Sequence, residues 1–263
     1  MKKWLLLSFF LSACAPLEQQ STVIPVYTYV GTPPFASFAD SDKGLSTLFV
    51  DFMNKLDTRY RYQLINTSKQ ELLKKLEAGE QGLILWPNLK MYPAHLQLEA
   101  SKTLFLDSAI VVSKKASGID YTSPESLIGH SVCTRHKFVI PPLEPLVAQG
   151  KISKLYTDSH EQCFALLDQQ KTDSVTIAKS HYLNKYRKIK GYDHYVANKS
   201  IYEYSRHILV TPQNRHLIPN LDSMIDKIKR SEEWQAVLLS LGEQEFYDMF
   251  QMSLTDLKEV EVN

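Results

Sequence analysis

Glycine is scarce in this chain, with nine residues in 263, and cysteine and tryptophan number only three each. The sequence has no G-x-G-x-x-G or G-x-x-x-x-G-K-[ST] loop, and no G-x-S-x-G, H-E-x-x-H or C-x-x-C. Those absences remove the common signatures of dinucleotide binding, nucleotide hydrolysis, serine hydrolysis, zinc proteolysis and dithiol exchange, so no enzyme activity is expected. The eight histidines are scattered, none with a partner at metal-ligand spacing on one helix, and neither metal nor cofactor is expected. Excess charge is also missing. Thirty Lys and Arg against 29 Asp and Glu leave no basic surplus for a nucleic-acid partner. Nor is there an apolar run of the roughly 20 residues that a bilayer span needs.

What is present begins at the N-terminus. Lys2 and Lys3 precede about ten apolar or small residues, Trp4 to Ala13, and polar "LEQQST" follows almost at once. These are the proportions of a secretory signal. Leu11, Ser12, Ala13 and Cys14 resemble the bacterial lipobox, which implies removal of residues 1–13, acylation of Cys14 and a flexible tether over 14–22; ordinary cleavage near Ala15 is the alternative. Acyl chains would hold the protein at the periplasmic face of a membrane, each buried CH₂ contributing about 0.8 kcal/mol. Without the first thirteen residues the chain has 28 basic and 29 acidic side chains. Export implies an oxidising compartment, where Cys133 and Cys163 are the two remaining thiols. A bond between them would constrain the unfolded chain by roughly 3–4 kcal/mol, the alternative being two buried free cysteines.

Strand and helix signals alternate from residue 23. "TVIPVYTYV" is β-branched and aromatic, and "GTPPF" ends it. Leu45, Leu48, Phe49, Phe52, Met53 and Leu56 then repeat at helical spacing, "RYRYQLI" alternates as a strand, and Ser68 with Glu71 makes a capping box before a second helix. "GLILW" is a short apolar run of the kind buried on both faces. The pattern restarts after "SPESLIGHSVC" with "ISKLYT", a helix begun by Asp158 with Glu161 three positions on, "DSVTI" and "KSHYLNKY". "FLDSAIVVSKK" connects the two units, and "SRHILVTP" precedes three helical patterns, one with Leu217, Ile218, Leu221, Met224, Ile225 and Ile228 on one face.

The order of lipobox, strand, "PPF", "GLSTLFVDFMNKL", "SPESLIGHSV" and "ILVTP" resembles the bacterial extracellular solute-binding proteins of family 3, the amino-acid-transporter type, over residues 23 to 245. The resemblance implies an α/β, two-lobed periplasmic-binding-protein-like fold of type II. Each lobe would be a mainly parallel sheet flanked by helices, with two crossing strands as hinge. One lobe would take 23–107 plus 206–263 and the other 108–205. The ligand would sit where strand carboxyl ends meet, enclosed by "GTPPF", "WPNLK", "TRHKF" and "AKSHY".

Within those loops, Phe35 and Trp86 could stack on a ligand, although Phe35 could equally pack under its own loop. Asn88 lies in the Trp86 loop and Tyr29 closest to the cleft on the first strand. The family holds an amino acid's α-carboxylate with an arginine after the third strand, and this chain has no arginine between Arg61 and Arg135. Arg135, His136, Lys137, Lys179 and Ser180, in second-lobe loops, could supply an anion site instead, or form a solvated basic rim. The partner expected is therefore a small polar solute, anionic if those cations face the cleft, bound by a monomer that hands it to an inner-membrane ABC permease. Two rivals stand beside this. One is a solute-sensing lipoprotein that partners a membrane signalling receptor, a role suited to Ala15, which is not the aspartate that retains Gram-negative lipoproteins at the inner membrane. The other is an enzyme resembling cyclohexadienyl dehydratase.

Overall fold

A computed structural model describes residues 21–36, 43–136, 138–189, 191 and 193–251. The expected signal, Cys14, most of the expected tether and Lys137 lie outside the described residues. Strand β1 (Thr22–Thr28) pairs in parallel with β2 (Tyr60–Asn66) and β3 (Leu83–Leu85), and helices α1 (Leu45–Leu56) and α2 (Lys69–Glu77) make the two crossovers. The helical spacing read from the sequence holds: Leu45, Phe49, Phe52 and Met53 are buried on α1, while Leu56 reaches the surface.

The start of α1 has no side-chain cap. Its first N–H groups are satisfied by the loop that follows β1, Leu45 N donating to Pro34 O (2.9 Å) and Ser46 N to Phe35 O (3.0 Å). A Cβ on Gly44 would fall 2.3 Å from Phe35 O, so the close approach requires glycine there. "PPF" and "GLS" are therefore one unit, the loop supplying carbonyls and the glycine the room. At α2 the cap is a side chain, as the capping box predicts: Ser68 Oγ accepts from Glu71 N at 3.1 Å.

The chain continues through β4 (Glu99–Ala100) and the long β5 (Phe105–Lys114) into a second unit. That unit contains β6 (Ser131–Arg135), α3 (Glu144–Ala148), β7 (Ser153–Thr157), α4 (His160–Asp168), β8 (Ser174–Ala178), and α5 (Lys179–His181) running into a π-turn over Tyr182–Tyr186. Next come β9 (His194–Val196) and β10 (Tyr202–Arg206), then β11 (Ile208–Val210), α6 (Ile218–Lys229) and α7 (Glu232–Gln251). Helix α4 starts one residue later than the sequence suggests. Ser159, not Asp158, caps it, accepting from Gln162 N, while Asp158 N donates to Gln162 Oε1.

Two sheets result, one ordered β2-β1-β3-β11-β4 and the other β10-β5-β8-β6-β7, with β9 also on β5. The βαβ pairs are parallel, whereas β5, β10 and β11 pair antiparallel because they carry the chain between the sheets and back. The predicted double-sided burial of "GLILW" is realised: Leu83 and Leu85 join the largest apolar cluster, and Ile84 points the other way into one with Tyr27, Leu72 and Leu76. That largest cluster runs through both sheets, from Val26 and Leu85 by way of Phe105 to Val112 and Val175. Cys133 and Cys163 are bonded, Cα atoms 5.5 Å apart, tying β6 to α4. Among the described residues no helix is long and apolar enough to cross a membrane.

Candidate functional site

The parallel strands of both sheets end near the crossing strands, and the crossing strands carry a buried ion pair. Asp107 on β5 lies opposite Tyr204 on β10, and Arg206 opposite Phe105. The Asp107 side chain is fully buried and that of Arg206 is 12% exposed. Arg206 Nε and Nη2 donate to Asp107 Oδ2 at 3.0 and 2.7 Å, and Nη2 also reaches the Tyr204 hydroxyl at 3.1 Å. Asp107 further accepts from Tyr204 OH (3.2 Å), from Ser180 Oγ and N (2.7 and 3.1 Å), and from Ser108 N (2.9 Å). The guanidinium lies about equally far from three rings, 5.1 Å from Phe35 and Tyr204 and 5.4 Å from Phe105. Burial opposes its charge, but Tyr204 and Asp107 outweigh that and its pKa is raised.

Four of the residues singled out from the sequence meet around this pair. Ser180 bonds Asp107 directly, and Phe35 packs against Arg206 from within the core. Trp86 gives its carbonyl to Arg206 Nη1 at 3.0 Å. Tyr29 stands at the end of β1 beside Tyr92, with Lys69 Nζ over both rings at 5.9 and 5.7 Å; burial raises its phenol while the Arg206 charge pulls the other way.

Trp86 differs from the expectation of a ring offered to a ligand. Its backbone has φ 74°, a conformation a bulky residue adopts at a cost of order 1–3 kcal/mol. Three bonds hold it there: Trp86 N to His207 O (3.0 Å), the Arg206 contact to its carbonyl, and Nε1 to Ser46 Oγ (2.9 Å). The turn sends the indole inward against Phe35, Phe49 and Phe105. Phe250 of α7 completes the cluster, stacked on Phe105 at 4.4 Å. Aromatic side chains thus fill the place where the sheets meet.

The other singled-out residues lie apart from the pair. Asn88 caps the short turn after Trp86, its Oδ1 accepting from Lys90 N. His136 is exposed and stacked on Tyr156 at 5.5 Å. Lys179 is tied to Glu245 of α7 at 2.7 Å. Arg135, half-buried at the end of β6, makes no ion pair among the described residues, and its charge acts on two buried histidines, His160 and His181.

Sequence reasoning passed over Asp107, Arg206 and both histidines. For the ion pair a signal existed, since an acid inside the apolar run "FLDSAIVV" needs a partner and "YSRHILV" offers one. For the histidines there was none, because they lie 21 residues apart on different helices. Two surface grooves of about 450 and 490 Å³ lie elsewhere, the first lined by residues such as Glu77, His95 and Gln97 and the second by Lys43, Asp51 and Lys55.

No family model matches the chain, and no curated protein matches it in sequence. Solved structures do. The chain is similar to an ancestral arginine-binding protein bound to arginine, at 14% identity and TM-score 0.64, covering 83% of this chain and 97% of that one. It is similar to holo ArgBP from T. maritima, at 15% identity and TM-score 0.59, covering 83% and 94%. It is also similar to the GluR0 ligand-binding core from Nostoc punctiforme in complex with L-glutamate, at 17% identity and TM-score 0.62, covering 83% and 98%. The fold is accordingly the two-lobed, periplasmic-binding-protein-like α/β architecture that the sequence resemblance implies.

Proposed function

We propose that this chain is an exported, lipid-anchored binding protein that encloses a small polar solute with an anionic group between its lobes and delivers it to an inner-membrane ABC permease. Its lobes are residues 23–107 plus 206–263 and residues 108–205, its anchor is Cys14, and it acts by binding rather than by bond-making. One observation carries the reading: two sheets are joined through adjacent antiparallel strands, with the carboxyl ends of their parallel strands turned toward that junction, the geometry in which α/β sheets take ligands. The solved structures it resembles, bound to arginine or L-glutamate, support a solute of amino-acid size. Arg135 is the group proposed to meet the anionic part, since it ends β6 and makes no ion pair among the described residues.

A thermal-shift screen of the purified protein against amino acids, polyamines, small carboxylates and sugars tests this. A true ligand at 100 times its dissociation constant adds about 2.7 kcal/mol of stability. A flat result across all classes rejects solute binding, and unchanged affinity of an Arg135→Ala variant for the solute found rejects the anionic contact.

A second reading is a solute-sensing lipoprotein that reports to a membrane receptor. Ala15 suits it, because placement at an outer membrane separates the protein from an inner-membrane permease. Membrane fractionation discriminates the two.

A further inference from the structure

Three neighbouring strands of the second sheet, in the order β8-β6-β7, deliver three polar groups to one edge. Arg135 is the last residue of β6, His160 opens α4 just after β7, and His181 closes α5 just after β8. The two imidazoles meet nearly perpendicular, ring centroids 5.1 Å apart. His160 is 4% and His181 6% exposed. Both nitrogens of His160 and Nε2 of His181 are buried without a hydrogen-bond partner. Buried polar atoms are nearly always paired, and three orphaned nitrogens in one corner mark a place that something else completes. Phe138 stands at 6.3 Å from His160 and Tyr186 at 5.5 Å from His181, so the surroundings are apolar as well as polar.

The charge around the pair selects the kind of guest. Among the described residues the titratable groups that face it are Arg135, Lys185, Glu161, Asp107 and the neutral Tyr186 phenol. Lys185 and Glu161 neutralise each other in an ion pair, and Asp107 is held by Arg206. Arg135 remains unbalanced. The nine-residue helix α4 adds the partial positive charge of its first turn, directly at His160. A metal cation would meet that charge, and among the described residues no group of three His, Cys, Asp or Glu stands ready to hold one. An anion with several oxygens complements it.

We propose that His160, His181 and Arg135 form an oxyanion site in the second lobe that takes a small carboxylate, the imidazole N–H groups and the guanidinium donating to its oxygens. This rests on the solute-binding reading above and names the group that the second lobe recognises. Arg135 is the member of the three that meets solvent, and opening of the lobes is what gives a guest access to the histidines. Without a guest both imidazoles are neutral: burial first, then the neighbouring His181 for His160 and Lys185 for His181, push His160 down to about 3 and His181 down to about 4. A bound carboxylate reverses that preference, so binding draws protons from solution and tightens as pH falls.

Titration calorimetry of the full chain with succinate and with inorganic phosphate, at about pH 7.5 and about pH 5.5, tests the site. Succinate is expected to bind roughly tenfold tighter at the lower pH, the change that uptake of one proton over part of that interval brings. His160→Asn and His181→Asn are each expected to weaken it and flatten the pH dependence. Arg135→Gln, a substitution outside the core, is expected to weaken binding while keeping the pH dependence, and it remains informative if the histidine variants fail to fold. Binding of phosphate but not succinate overturns the carboxylate assignment. So does succinate affinity that ignores pH and all three substitutions, or stabilisation by Zn²⁺ with no effect of either anion. A different solute that stabilises the wild type and His160→Asn equally leaves the solute-binding reading standing and overturns this site; stabilisation by nothing overturns both.

Discussion

Two buried polar clusters lie near the junction of the lobes, and they are opposites. At the crossing strands Asp107 accepts from Arg206, Tyr204, Ser180 and Ser108, and Arg206 spends its donors on Asp107, Tyr204 and the Trp86 carbonyl. At the edge of β8, β6 and β7, His160 has neither nitrogen bonded and Arg135 has no counter-ion among the described residues. A buried charge with every partner inside the chain is architecture, because it has nothing left to offer a guest. A buried polar group with none is unfinished, and the folding energy it forgoes is tolerable where a guest returns it.

The sharpest way to break the contrast is to remove one side of the satisfied pair. Asp107→Ala strands the Arg206 cation among three rings and is expected to cost about 3–5 kcal/mol in urea unfolding. The double variant Asp107→Leu, Arg206→Met should recover a large part of that, since it removes both charges together. A double variant as unstable as Asp107→Ala would show that the ring cage, not the unpaired charge, carries the loss. Next in size is the disulfide. Cys133 and Cys163 are 30 residues apart, and opening that loop with reductant should lower stability by about 3–4 kcal/mol. Because the bond fastens α4 to β6, reduction should also loosen the histidine corner and leave the crossing-strand pair intact, visible as hydrogen exchange rising at α4 before β10. A smaller loss, about 1–3 kcal/mol, is expected for Gly44→Ala, whose methyl would meet the Phe35 carbonyl.

The same contrast explains what could be read in advance. Local signals were sufficient for the elements: the spacing of Leu45, Phe49, Phe52 and Met53, the cap at Ser68 and the apolar run at Leu83–Leu85 each act within a few residues, and the structure realises each. Family order supplied the two-lobed fold. The thiol pair could be named because the third cysteine, Cys14, was read as the lipid anchor. Side-chain direction could not be read. Trp86 turns inward on a backbone angle that its neighbours impose from His207 and Arg206, more than a hundred residues away in sequence. His160 and His181 become one site only when β7 and β8 lie on either side of β6, so no spacing rule on a single helix could reveal them.

Acid should sharpen the comparison further, because of the two clusters only the unfinished one contains histidines, which burial keeps neutral in the fold and which charge on unfolding. The folded pKa values of His160 and His181 lie below the unfolded value of about 6.5. The unfolded chain therefore binds more protons as pH falls from about 6.5 toward about 3, and stability is lost on going down through that window. Between about pH 6.5 and about pH 5.5 each histidine should account for about 1 kcal/mol. Burial lowers His194 and His207 as well, so the diagnostic is a difference: His160→Asn should flatten the wild-type slope by its own share. An unchanged slope would mean that His160 is already protonated or solvated. Glu161 and Asp57, also lowered, titrate only at more acid pH and leave this interval to the histidines.

The smallest effect is expected where charges lie at the surface. Helix α7 packs Trp234 against Phe49 and Phe52 of the first lobe, then reaches across so that Glu245 meets Lys179 at 2.7 Å and Arg187 at 2.6 Å, while Leu241 O accepts from Asn184 and Lys188. The helix thus straps one lobe to the other. Both of its ion pairs are about one-third exposed or more, and pairs of that kind contribute roughly 0.2–1 kcal/mol each and fade with salt. Glu245→Gln should therefore change unfolding stability by about 1 kcal/mol or less, and by less still at high ionic strength. Its informative readout is the lobes. If the strap restrains opening, small-angle scattering of the variant at low salt should show a larger radius of gyration than the wild type, and the two should converge as salt screens the wild-type pairs. Identical scattering at every ionic strength would assign closure to the buried cluster of Phe105, Phe250 and Arg206 alone.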